Sequence, residues 1–231
     1  RPNIHIIASQ LREPTYVHLS DTDGAINQDA AITVTENVRG YSALLVGCGL
    51  GQHEQTHQFV ESLLEQNELP PLIFDADGLN ILSKIVNWWD KLPSDTIITP
   101  HPGEMARLTG LTMDEVNANR WEIASQKAKE WDIVVVLKGA HTLVASPDGQ
   151  VAVTPFKTDA LGTAGTGDVL AGLIAGLRAQ SSSAFDSTVI GTYIHALAGI
   201  KAIDRIGNSR SVIARDVLDN LGIAFKQVES N

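Results

Sequence analysis

An α/β fold is predicted, with a mostly parallel central sheet flanked by helices on both faces. Three observations predict it. Short apolar runs recur at residues 43–46, 72–74, 97–98 and 133–137 without polar alternation, so each suits a strand covered on both faces. Helical segments separate these runs, the alternation that accompanies parallel strands and crossover helices. The loops that follow the runs carry Gly, Asp, His and Lys, and in such folds ligands collect beyond the carboxyl ends of the strands.

The elements follow in order. Residues 4–11 have the spacing of a short helix, and residues 16–19 follow as a strand. Helices are predicted over 28–38, 52–66, 78–88, 103–109 and 114–131. The last of these carries Asp114 and Glu115 in its first turn, where the helix dipole favours carboxylates. Strands at 142–145 and 151–154 form an antiparallel hairpin across the turn Ser146-Pro147-Asp148-Gly149. Three helices close the chain, near 165–179, 185–206 and 214–225. A polar tail at 226–231 is expected to fray. No repeat or low-complexity stretch interrupts this order, and residues 181–183 are too short to link domains.

Composition bounds the function. The chain has 231 residues, 43% of them hydrophobic, enough to bury a sizeable core. Lys and Arg total 17 against 27 Asp and Glu, for a net charge of −10. An acidic chain without a basic cluster is a poor nucleic-acid or anionic-membrane binder. Any phosphate it holds must meet backbone amides and a few placed cations. No apolar run approaches the roughly 18 residues of a membrane span, and no signal-peptide pattern is present. A lone cysteine, Cys48, excludes an internal disulfide and suits a reducing, cytoplasmic setting.

The richest segment is Gly162-Thr-Ala-Gly165-Thr166-Gly167-Asp168-Val-Leu-Ala-Gly172. Gly162 and Gly167 have P-loop spacing, but Asp168 and Val169 stand where that motif needs Lys and Ser or Thr. The loop's physics remains useful. Its glycines admit positive φ and close ligand approach, and the helix it opens presents free amides to an anion. Val169, Leu170, Leu173, Ile174 and Leu177 share a face of that helix, with Gly172 and Gly176 expected to allow close packing. Asp168 lies in the positive field of the helix end, stays ionised and can take a proton from a hydroxyl. An anion site and a base adjacent in sequence suggest phosphoryl transfer to an alcohol. The plainer reading is a Gly-rich loop with a helix-start carboxylate.

Four further loops carry candidates. In Asp75-Ala-Asp77-Gly-Leu-Asn80 the two carboxylates and the Asn can meet a magnesium ion or ribose hydroxyls, or simply cap a helix. Thr99-Pro-His101-Pro-Gly-Glu104 presents His101 and Glu104 at a strand end, with Pro102 opening a helix. Lys138-Gly139-Ala140-His141-Thr142 offers a phosphate-binding lysine, or a lysine leaving a strand for solvent. Gly47-Cys48-Gly49-Leu50-Gly51 is a weak glycine loop, and Cys48 reads as a small buried apolar residue. His53-Glu54-Gln55-Thr56-His57 matches a zinc-protease string. Val60 and Leu63 occupy its extended positions, so a solvated helix face is expected instead.

Together these strings, in this order, resemble the ADP-dependent NAD(P)H-hydrate dehydratases of the ribokinase-like superfamily, from near the N-terminus to about residue 225. The resemblance implies repair of the S epimer of hydrated NADH or NADPH, whose hydroxyl sits at C6 of the nicotinamide ring. It implies Asp168 as the base, Gly165, Thr166 and Gly167 as the anion hole, and residues 138–142, with Gly167, as the nucleotide site. Gly51 and His101 would contact the substrate, with Asp75 and Asn80 beside them. Glu104 resembles a magnesium-associated glutamate of related kinases, with His101 where those have Asn. The implied cofactors are ADP or ATP and Mg²⁺. The implied assembly is a homo-oligomer, as the family tends toward tetramers. Cys48 stands at a position where the family has proline. Residues 1–231 are expected to form one ribokinase-like domain without the family's N-terminal elements. Two alternatives remain: a kinase of the same superfamily acting on a vitamin precursor or sugar, and a nucleotide-binding protein without catalysis.

Overall fold

The computed structural model of the chain describes residues 7, 9, 11, 13–180 and 183–230. The helix expected over residues 4–11 lies largely outside these, although Ile7 and Ser9 are helical. Residues 16–19 are not a strand. Tyr16 and Val17 are exposed, and among the described residues strand pairing begins at the small hairpin β1 (Asp21–Thr22) and β2 (Ala25–Ile26).

The central sheet has six strands in the order β3 (Leu44–Val46), β4 (Leu72–Phe74), β5 (Ile97–Ile98), β6 (Val134–Leu137), β7 (Leu143–Ala145), β8 (Val151–Val153). The first four run parallel, and β7 and β8 turn antiparallel. This is the arrangement the uninterrupted apolar runs called for. On β4, Leu72 and Phe74 enter one core while Ile73 enters another. On β6, Val135 and Leu137 face away from Val134 and Val136 in the same way. A strand with both faces buried has no place for polar alternation.

The first face is covered by α1 (Ala30–Asn37), α2 (Glu54–Leu64), α3 (Asp77–Leu82), α4 (Pro102–Thr109), α5 (Met113–Ala118) and α6 (Arg120–Trp131). Trp88, Trp89 and Trp131 pack together at its edge. The second face is covered by α7 (Thr166–Arg178) and the start of α8 (Ala184–Ile206). The helix α9 (Ala214–Glu229) packs on α7 and α8 in a third cluster.

Several boundaries differ from the sequence expectation. The helix expected over 114–131 breaks at Asn119, whose φ of −129° and ψ of 41° end α5 and begin α6. Segment 78–88 is helical only to Leu82, and Asn87 then turns left-handed into a short 3₁₀ turn. The tail expected to fray continues α9 to Glu229, with residues 226–229 exposed beyond the last packed residue, Phe225. Gly172 and Gly176 do not mediate close packing. A Cβ on either would meet nothing within 4 Å. The tight approach comes from α8, where a Cβ on Gly191 would lie 2.8 Å from Ile174.

Candidate active site

The loops after β3, β4, β5 and β6 emerge at one edge of the sheet because these strands are parallel. The first two interlock through glycine. Gly47 has φ of +138°, and a Cβ there would lie 1.8 Å from the carbonyl oxygen of Asp75. Asp77 ties the same loops together, accepting from Gly51 N and Gln52 Nε2 at 2.9 Å each. Between the two aspartates Ala76 has φ of +50° and ψ of −121°, a strained backbone for a residue with a Cβ.

Asp75 is 1% exposed and is fully committed on one oxygen. Its Oδ1 accepts from Lys138 Nζ at 2.6 Å and from Thr99 Oγ1 at 2.7 Å. Lys138 also lies 3.7 Å from Glu104 Oε2. The lysine therefore turns inward between two buried carboxylates instead of leaving for solvent. Burial pushes Glu104 above the usual carboxylate range, and Lys138 opposes the shift. Glu104 also closes a capping box. Its Oε2 accepts from His101 N at 2.8 Å, while His101 Nδ1 accepts from Gly103 N and Glu104 N. Burial, then Lys138 and Arg107, hold His101 below its ordinary value. Asn80 Oδ1 accepts from Arg107 at 3.0 Å.

The loop after β6 wraps a cavity of about 290 Å³. Lys138, Gly139, Ala140 and Thr142 form one wall, with Thr166, Gly167 and His195 among the others. His141 turns away with φ of +56°, and its Nδ1 donates to Thr154 O. Thr142 Oγ1 donates to Gly139 O. Gly139 has φ of +148°, and a Cβ there would meet the Arg120 guanidinium at 2.4 Å. Arg120 donates to Leu137 O at 3.0 Å and Lys138 O at 3.3 Å, holding the strand end from behind. Nothing in sequence marks Arg120, since its position depends on the helix break at Asn119.

The N-terminus of α7 completes the edge. Gly165, left-handed at φ +87°, precedes the helix. Thr166 is 3% exposed and turns its own donors inward: its amide to Thr163 O, and its hydroxyl to Leu161 O and Thr163 O. The amides of the following residues have no intrahelical acceptor. A Cβ on Gly167 would lie 3.5 Å from Lys138 Nζ and 3.9 Å from Asp75 Oδ2, so this helix end faces the buried pair. Asp168 follows, exposed. One donor atom each of Asp168, Asp75 and Cys48 lies within 4.8 Å of the others.

Cys48 is therefore no buried apolar residue. It is half-buried, with Sγ 3.8 Å from Asp75 Oδ2. Burial, then the charges of Asp75 and Asp168, push its thiol up to about 12, so it stays protonated. In the zinc-protease string His53 precedes α2 and Glu54 opens it, both exposed, Thr56 is buried in the core, and His57 Nε2 accepts from Lys84 at 3.3 Å.

Residues 3–221 match the NAD(P)H-hydrate dehydratase family. The chain belongs to this family. A bifunctional NAD(P)H-hydrate repair enzyme of Moorella thermoacetica is 37% identical over 225 residues, 97% of this chain but only 42% of that protein. The chain thus spans less than half of that longer relative. An ADP-dependent (S)-NAD(P)H-hydrate dehydratase of Neisseria meningitidis is 35% identical over 178 residues, 76% of this chain and 60% of that one. The ADP/ATP-dependent NAD(P)H-hydrate dehydratase of Bacillus subtilis, co-crystallised with ATP and Mg²⁺, superposes with a TM-score of 0.78. That match has 27% identity and covers 97% of this chain and 77% of that one. A ribokinase-like superfamily protein of Enterococcus faecalis gives 0.70 at 26% identity. The fold of this dehydratase-family chain is accordingly ribokinase-like.

Two measurements probe the site's construction. Lys138→Ala leaves Asp75 and Glu104 buried without their shared cation. It should lower unfolding stability by roughly 3 kcal/mol and weaken adenine-nucleotide binding. A urea midpoint and a nucleotide dissociation constant both equal to wild type would show that the lysine serves neither purpose.

The second concerns His195, which is 5% exposed and whose Nε2 contacts Thr166 O at 2.9 Å. Burial pushes it down to about 4. Its folded value lies below its unfolded one, so the unfolded chain binds more protons in between and stability falls as pH falls from about 6.5 towards 4. Wild type should lose about 2–3 kcal/mol more between pH 7 and 4.5 than His195→Gln does. Equal losses in the two urea titrations would exclude His195 as a source of acid lability.

Proposed function

We propose that this chain is a dehydratase for the S epimer of hydrated NADH or NADPH, with ADP or ATP as phosphoryl donor. One juxtaposition carries the reading: Asp168, the open amides of α7 and the Lys138 ammonium converge beside the cavity walled by Lys138, Gly139, Ala140 and Thr142. Family relatives named for the same reaction support it.

Hydroxide is a poor leaving group, so the substrate hydroxyl must first become a phosphate ester. Asp168 takes the hydroxyl proton as the oxygen attacks the terminal phosphorus of the donor. The amides of Gly165 and Gly167, in the turn that Thr166 braces, hold the negative oxygens of the transferring group. Lys138 adds positive charge at the same end. The nucleotide lies against Lys138, Gly139, Ala140 and Thr142, with His141 shaping that loop from behind. Gly51, His101, Asp75 and Asn80 belong to the loops on the substrate side. Once phosphorylated, the ring carbon loses phosphate to the push of the ring-nitrogen lone pair, and loss of the neighbouring proton restores the dihydronicotinamide. From ADP the products are AMP, phosphate and NAD(P)H. The chain's contribution is positioning and charge stabilisation, as phosphoryl transfer requires.

Magnesium fits this edge without a cage of protein ligands. Glu104 Oε2 is occupied by the helix cap, but Oε1 has only His101 Nε2 at 3.5 Å and can meet a water of a hydrated ion. When bound, the ion neutralises phosphate charge.

The test is absorbance at the dihydronicotinamide band, with hydrated NADH, Mg²⁺ and ADP, ATP or neither. A nucleotide-dependent rise is expected. Accumulation of a stable phosphorylated product without the rise would replace this reading with a kinase.

A further inference from the structure

His195 is absent from every motif in the sequence. It is a lone histidine in the apolar stretch of α8, and by pattern it belongs to the core. The structure puts its ring in the wall of the cavity, 95% buried, with Nε2 2.9 Å from the carbonyl oxygen of Thr166. A carbonyl only accepts, so Nε2 carries the proton and the ring is a donor towards Thr166. The ring is neutral near pH 7 because burial opposes its charging.

The carbonyl that His195 holds belongs to a particular peptide. The oxygen of Thr166 and the amide hydrogen of Gly167 are the two ends of one planar unit. Fixing the oxygen therefore fixes the direction of the N–H. A hydrogen bond accepted at the oxygen also polarises the amide and strengthens its N–H as a donor. Gly167 itself stands in the first turn of α7 beside Lys138 and Asp75: a Cβ on it would lie 3.5 Å from Lys138 Nζ, and the N–H at this end of a helix has no intrahelical acceptor. Thr166 braces the same turn on its other side through Leu161 O and Thr163 O. The first peptide of α7 is thus held from the side chain of its own first residue and from a neighbouring helix.

We infer that His195 is a positioning residue for phosphoryl transfer: its Nε2–H aligns and polarises the Thr166–Gly167 peptide, whose N–H receives the transferring phosphoryl group. This rests on the dehydratase reading above. The role needs a donor at the place of Nε2 and nothing else from the ring. A glutamine side chain can put an N–H there; a leucine fills similar space without one.

The experiment compares His195→Leu and His195→Gln with wild type, after circular dichroism has shown all three folded. Readouts are kcat, the dissociation constant for ADP, and the ¹H shift of the ¹⁵N-labelled Gly167 amide with ADP bound. His195→Leu should lose about 10- to 100-fold in kcat, less than the deletion of a whole oxyanion donor. Its ADP affinity should stay within about threefold of wild type, and its Gly167 amide proton should move upfield. His195→Gln should recover most of kcat and of the shift. Should the leucine variant not fold, His195→Met, equally without a donor, replaces it. Leucine and glutamine variants with the same kcat and the same amide shift would overturn the inference. A wild type that turns over no hydrate would instead overturn the dehydratase reading, and the amide shift alone would then decide on His195.

Discussion

Replacing Asp168 by asparagine should lower kcat by roughly a thousandfold, within the range general bases contribute, while ADP affinity changes by less than about threefold. The asymmetry follows from where the side chain stands. Asp168 is exposed at the first turn of α7, and the cavity beneath it is walled by other residues. Asparagine keeps the volume and cannot accept the hydroxyl proton. The helix end keeps its open amides, and Lys138 keeps its place, so the nucleotide loses little. The measurement is single-turnover kinetics alongside calorimetric titration with ADP. A variant of near-normal rate would remove Asp168 as the base. A variant that no longer binds ADP would show the carboxylate to be part of the nucleotide site instead.

The second large effect is on the scaffold. Gly47→Ala places a Cβ 1.8 Å from the Asp75 carbonyl oxygen and 2.9 Å from Gly78 N, at a backbone φ of +138°. Both contacts are to backbone, which cannot swing aside as a side chain does. Strain from the backbone angle and overpacking together should cost roughly 3–5 kcal/mol, and Asp75 should be carried out of reach of Lys138. Gly110→Ala is the control. Its φ is also positive, +74°, but nothing lies within 4 Å of the added Cβ. That substitution should cost only about 1 kcal/mol. Urea midpoints at constant slope give both values. Equal midpoints for the two variants would show that the interlock of the β3 and β4 loops carries no strain.

Much of this molecule was legible in the chain. The runs at 72–74 and 97–98 lack polar residues because each strand is buried on both faces, so their number and parallel sense could be inferred locally. The hairpin of β7 and β8 announced itself through Ser146-Pro147-Asp148-Gly149. The candidate residues sit where strand ends put them, since parallel strands deliver every following loop to one edge.

Other features had no local signal. The break at Asn119 splits a segment whose composition is helical throughout, and its two pieces have different partners: α5 packs against α4, while α6 packs on β6 and β7. Gly172 and Gly176 satisfy a packing pattern on α7, yet the close contact was made by Gly191 of a different helix. Cys48 looked like a core residue because a thiol is small and apolar, and only the approach of Asp75 across 27 positions put it against carboxylates. Arg120 and His195 act on peptides 17 and 29 residues away in the chain. The sheet, the run of helices and the edge where the chemistry-bearing loops gather can be read from the chain, because periodicity and turn chemistry are local properties. The tertiary structure alone decided that Lys138 would turn inward to Asp75 and that His195 would hold the first peptide of α7. Those choices depend on partners brought together only when both faces of the sheet are covered.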